Sequence, residues 1–125
     1  MSDETHASDS VKITREWSFY VRDMIEFAEK IVSYTEGFDQ AAFVANQRTY
    51  DATLRNLELI GEAATHVPDG VRARYAKIPW RMIIAVRNRL IHAYLGIDDD
   101  IIWSVIRDDL PNLLQELHAL GDTKE

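Results

Sequence analysis

From Trp17 to Leu120 the apolar residues recur every three or four positions, and no stretch alternates apolar with polar long enough to make a strand. A chain with that rhythm buries helix stripes and not sheet faces. The first segment places Trp17, Val21, Met24, Ala28 and Ile31 on one face. A second, after Asp39, continues through Tyr50, Leu54, Leu57, Gly61 and Ala64 until Pro68 ends it. A short turn or helix is expected at Val71 to Tyr75. Pro79, suited to the first position of a helix, opens another from Trp80 to about Leu95. The last starts at Asp98 to Asp100, whose carboxylates can cap it, and carries Ile102, Ile106, Leu110, Leu113, Leu117 and Leu120. Pro111 inside that pattern predicts a kink or a new turn. Gly37, Gly70 and Gly96 fall where helices commonly stop. The expectation is an all-α fold, an up-down bundle of four main helices plus a short helix. At 125 residues it is expected to be one domain, residues 16–120, between a disordered N-terminal tail at 1–15 and a C-terminal tail at 121–125.

Composition removes several classes of function. Without cysteine there is no disulfide, thiol catalysis or Cys-ligated metal. Met1 to Ser10 is acidic and lacks the apolar run of a secretion signal, and no apolar run nears the roughly 20 residues that span a bilayer. A soluble, cytoplasmic protein without a membrane partner is expected. The net charge of −7 speaks against nucleic acid until its distribution is considered. Arg72, Arg74, Lys77, Arg81, Arg87 and Arg89 all lie between Val71 and Ile97, where there is no Asp or Glu. Such a stripe is either an anion site or a solvated face balanced by carboxylates of neighbouring helices. The Asp98–Asp100 triplet has a rival reading as a metal site.

No Gly-rich phosphate loop, paired-His metal helix or nucleophile elbow occurs. His6 lies in the tail, and His66 and His118 read as helix-end residues. His92 differs because Arg87, Asn88, Arg89 and Tyr94 surround it. On a continuous helix Met82, Val86, Leu90 and Ala93 would face the core, Arg87 would align with Tyr94, and Asn88 with His92. Ile84 and Ile91 sit between those pairs, and a face mixing them suits a subunit interface.

The pattern Arg-x4-His-x-Tyr, with Asn88 after the arginine and Pro79-Trp80 opening the helix, resembles the HEPN ribonucleases, specifically the HepT-like toxins. The likeness extends to Leu57 through Ala64 and to Ile102-Trp103 through Leu110-Pro111. It implies a homodimer of helical bundles whose motif helices meet in a cleft and form a composite, metal-independent endoribonuclease site acting on RNA. It also implies a cognate minimal nucleotidyltransferase antitoxin (MntA-like) as partner, which silences the toxin by AMPylation. By position the modified residue is Tyr94.

Elementary chemistry agrees with that implication. Metal-free RNA cleavage needs a base for the 2′-hydroxyl, an acid for the leaving 5′-oxygen and positive charge on the phosphorane. His92 and Arg87 can supply these, Asn88 can orient the imidazole or the phosphate, and Arg81 and Arg89 are candidate RNA-phosphate contacts. No metal or cofactor is expected, because the stretch lacks the carboxylates that Mg²⁺ prefers. On a helix Arg87 and His92 stand about 140° apart, so one copy would grip a phosphate poorly and two copies would do better. Other readings stay open: His92 as an interface histidine, Arg87 as an ion-pair partner of Glu62 or Glu58, and Tyr94 as half-buried packing. Glu62 is given no role. A non-catalytic dimeric adaptor that docks a nucleotidyltransferase and binds nucleotide or RNA is the alternative function.

Overall fold

The computed structural model describes the backbone of residues 2–122 and the side chains of residues 17–121. The expected tails, 1–15 and 121–125, and His6 fall outside the residues described with side chains, apart from Gly121. Among the described residues there are helices and no strand. They are α1 (Ser2–Thr35), α2 (Gln40–Ala45), α3 (Gln47–Thr65), α4 (Asp69–Arg74), α5 (Trp80–Ile91), α6 (Asp99–Ser104) and α7 (Leu110–Asp122). A 3-10 turn, Ala93–Leu95, follows α5, and a wide π turn, Val105–Asp109, joins α6 to α7. The all-α expectation holds, with α1, α3, α5 and the joined α6–α7 as the long members.

α3 packs against both α1 and α5, and α7 packs on α1. The predicted stripe of α1 is buried: Val21, Met24, Ala28 and Ile31 are at most 2% exposed. It meets Leu57, Ile60 and Ala64 of α3 and Leu110, Leu113, Leu117 and Leu120 of α7 in one apolar core. Burial of these side chains, worth roughly 1.5–3 kcal/mol for each large one, is what sets the helices in place.

The second predicted segment is two helices. Asn46 leaves the helical region (φ −95°, ψ 96°), closes α2 with its N–H on Ala42 and Phe43 carbonyls, and opens α3 by accepting from the Thr49 N–H. The apolar rhythm runs on through this break, which is why periodicity alone misses it. Pro111 acts as expected, but on the turn before it. Its missing N–H and ring demand space near Arg107, and the wide turn Val105–Asp109 supplies it.

The Asp98–Asp100 triplet is occupied by structure. Asp98 accepts from the N–H groups of Asp100 and Ile101, Asp99 takes the Tyr50 hydroxyl, and Asp100 accepts from Gln40 at 2.6 Å. Burial, and then the bond to Asp99, push the Tyr50 phenol up to about 12. The three carboxylates thus face different partners, and no group of potential metal ligands occurs among the described residues.

Candidate active site

At Gly61 the backbones of α3 and α5 come into near contact. A Cβ built there would lie 2.2 Å from the Arg87 Cβ and 2.9 Å from the Ile83 carbonyl oxygen, so only glycine lets the two backbones approach this far. The stem of Arg87 is therefore laid across α3. Its Nε and Nη2 donate to Glu62 Oε1 at 3.1 and 2.6 Å, and its Nη1 donates to Asn88 Oδ1 at 2.8 Å. The Arg87 side chain is about one quarter exposed. Hydrogen bonds from Arg87 hold the Glu62 carboxyl below the usual carboxylate range; partial desolvation opposes this, and His66, 3.4 Å from the other oxygen, assists.

Glu62 is the residue that sequence reasoning left without a role. Its rival reading as the ion-pair partner of Arg87 is the observed one, and Glu58 pairs with Arg55 instead. The only signal was Glu62 following Gly61, and nothing local ties either to a helix 25 residues further on. The pairing does not exhaust the arginine. A guanidinium has five N–H donors, and three of the contacts above use three of them.

The rest of the motif leaves the helix. α5 ends at Ile91 and not near Leu95. His92 is its cap residue (φ −101°, ψ 41°), its N–H reaching the carbonyls of Arg89 and Asn88 at 3.2 and 3.4 Å. Ala93–Leu95 then tighten into the 3-10 turn, closed by Leu95 N–H on the His92 carbonyl and by Gly96, whose φ of +105° suits glycine. The helical positions expected for His92, Ala93 and Tyr94 consequently do not apply. Ala93 is exposed, and the buried face of α5 is Trp80, Ile83 and Leu90, with Met82 and Val86 half-buried. The 140° separation of Arg87 and His92 lapses with the same correction.

His92 and Tyr94 both face solvent, their rings 5.9 Å apart and tilted by 51°. Tyr94 is 82% exposed, which excludes half-buried packing within this chain. No carbonyl of the described residues binds the His92 ring. Ile91 and Leu95 flank them in the chain and, like Ile101, are exposed large apolar side chains. The other histidines serve structure: His66 caps α3 and stacks on Tyr20, and His118 pairs with Glu29 of α1 at 3.2 Å.

The basic stripe is partly balanced. Arg72 pairs with Asp69, and Arg87 with Glu62. Arg74, Lys77, Arg81 and Arg89 make no ion pair with the described residues. Arg81 and Arg89 are exposed on different flanks of α5, Arg81 beside α4 and Arg89 beside α6.

A partly exposed guanidinium and an exposed amide, imidazole and phenol therefore fall within eight residues, at the end of a helix fixed to the core. None of the described helices is long and apolar enough to cross a membrane. The family model described as HepT-like ribonuclease matches residues 24–120. A Thermococcus cleftensis protein named probable ribonuclease HepT is 35% identical over 101 residues, 81% of this chain and 92% of that protein. A Methanocaldococcus jannaschii protein named as a candidate RNase is 31% identical over 106 residues, 85% of this chain and 97% of its own. No solved structure matches the chain. On the family match and these two relatives, the chain belongs to the HepT-like ribonuclease family.

Proposed function

We propose that this chain is a metal-independent endoribonuclease, the toxin of a toxin–antitoxin pair, with a composite site formed by two copies. The observation that carries this reading is the guanidinium of Arg87, held by Glu62 and Asn88, five residues before the exposed imidazole of His92 in a stretch, Val71 to Ile97, that has no Asp or Glu of its own. One His92 accepts the 2′-hydroxyl proton as that oxygen attacks phosphorus. The His92 of the second copy gives a proton to the departing 5′-oxygen, and Arg87 with the Asn88 amide binds the phosphorane oxygens. The products are a 2′,3′-cyclic phosphate and a 5′-hydroxyl. Of the two candidate phosphate contacts, Arg81 would hold the flanking RNA.

Exposed Ile91, Leu95 and Ile101 support the pairing, since apolar groups gathered around polar chemistry suit an interface closed by a second copy. Exposure of Tyr94 supports its modification by a nucleotidyltransferase antitoxin. The phenol oxygen would attack the α-phosphorus of ATP, release pyrophosphate and leave AMP on the ring. That would add negative charge and bulk beside His92, whose ring lies 5.9 Å from that of Tyr94.

The test is incubation of the purified protein with end-labelled single-stranded RNA in EDTA. Cleavage to cyclic-phosphate ends is expected, lost by about 10²–10⁴-fold in His92→Ala, whose exposed side chain leaves folding intact. Equal cutting by parent and variant would overturn the mechanism. A bound but uncut strand would favour the adaptor.

A further inference from the structure

α4 and the first half of α5 enclose an open cleft of about 670 Å³ that begins at the candidate active site and leads away from it. Its lining includes Asn88, Ile84, Arg81, Trp80, Arg72 and Asp69. Asn88 stands at one end, where its side-chain oxygen is already bonded to Arg87. Arg81 lies seven residues back, two helical turns or about 10 Å along α5, which sets it within reach of a phosphate neighbouring the one assigned to Arg87. Arg81 is exposed and makes no ion pair among the described residues. On the facing wall Arg72 donates through Nη2 to Asp69 Oδ1 at 2.5 Å, while its Nε is buried without a hydrogen-bond partner among the described residues. Asp69, the cleft's one carboxylate, points almost wholly into water, where its charge is well screened.

The opposite flank of α5 makes the contrast. There a groove of about 360 Å³ is lined mainly by Met82, Val86, Leu90, Ile97, Ile101 and Ile102. A phosphodiester backbone loses its hydration on such a wall and gains little. Trp80 is 7% exposed, so the cleft floor offers no open ring for base stacking. What it offers is guanidinium.

We infer that the α4–α5 cleft is a subsite for the sugar-phosphate backbone of single-stranded RNA flanking the scissile linkage, with Arg81 and Arg72 as its anion contacts. The inference rests on the ribonuclease reading and states how that substrate is held. It also separates the two arginines paired earlier, because Arg89 faces the apolar groove and has no place in this cleft.

The experiment compares the full chain with Arg81→Gln, Arg72→Gln and, as a control for bulk charge, Lys30→Gln on α1. Cleavage of a single-stranded oligoribonucleotide and of a dinucleotide is measured over a range of salt, with binding of the oligonucleotide followed by fluorescence anisotropy. For Arg81→Gln the oligonucleotide KM is expected to rise by up to about five-fold, and more than the dinucleotide KM. The slope of log affinity against log salt is expected to fall by about 0.7 for each arginine removed. Lys30→Gln is expected to leave that slope where it was. An unchanged slope in Arg81→Gln, or an equal change in Lys30→Gln, overturns the subsite. Thermal unfolding identifies any variant that has lost its fold, and Arg81→Gln, altering an exposed unpaired residue, decides if Arg72→Gln has. Should the parent cut neither RNA, the ribonuclease reading falls, and the anisotropy slopes still decide the subsite.

Discussion

The two halves of the motif sit in opposite environments. Arg87 crosses α3 where a glycine permits near contact of the backbones, and its guanidinium is bound on two sides by Glu62 and Asn88. His92 and Tyr94, only five and seven residues on, occupy a free-standing turn closed by short backbone hydrogen bonds and by Gly96. Under the proposed mechanism the phosphate-binding charge would thus be set in place before substrate arrives, whereas the groups proposed for proton transfer and modification stay open to solvent. Preorganised charge is worth most when it need not move during reaction, and a residue that a transferase must reach has to be accessible.

That contrast can be broken at its tight end first. Gly61→Ala puts a methyl group against the Arg87 Cβ and the Ile83 carbonyl. The helical preference of alanine, about 1 kcal/mol, is set against overpacking of about 1–3 kcal/mol, so a net loss of stability is expected. Displacement of Arg87 should cost roughly 100-fold in RNA cleavage. Denaturant unfolding and the cleavage assay measure the two together; a stable, fully active variant would mean that the helices tolerate separation.

Glu62→Gln tests the orienting role more gently. A roughly ten-fold fall in kcat is expected, with less effect on KM, because the arginine keeps its charge and loses its direction. The pH dependence supplies a second readout. The folded-state pKa of Glu62 is lowered, so the stabilisation from its pair with Arg87 is present above the ordinary value of about 4.5 and is lost as pH falls through the folded value. The urea midpoint of the parent should therefore drop more steeply in acid than that of Glu62→Gln. Matching acid limbs would deny the pair any part in stability.

The smallest effect is expected at the open end. Tyr94→Phe alters a ring that is 82% exposed, so its stability should change by no more than about 0.5 kcal/mol. The variant should take up no AMP from transferase and ATP, read by the mass of the protein. Uptake equal to that of the parent would move the modification to another residue.

The sequence carried most of the fold because the buried stripes of α1 and α7 repeat at helical spacing, and nothing but a helix would bury them together. It did not carry the break at Asn46, where one side chain caps a new helix without interrupting the apolar pattern. It misplaced the end of α5 because the stopping glycine, Gly96, is separated from the last α-helical residue by the 3-10 turn. The motif residues were legible as a cluster, since adjacency in the chain guarantees adjacency in space. Their orientations were not, being set by a helix end, and the partner of Arg87 was legible only as a choice between Glu62 and Glu58, because the long-range contact that decides it rests on one missing Cβ.

In a two-fold pair, any drift of one α5 against its own bundle is mirrored in the other, so the gap between the two copies of the site changes by up to twice the drift. In the proposed pair the backbone contact at Gly61 would therefore set a tolerance for a distance that lies wholly outside the chain containing it.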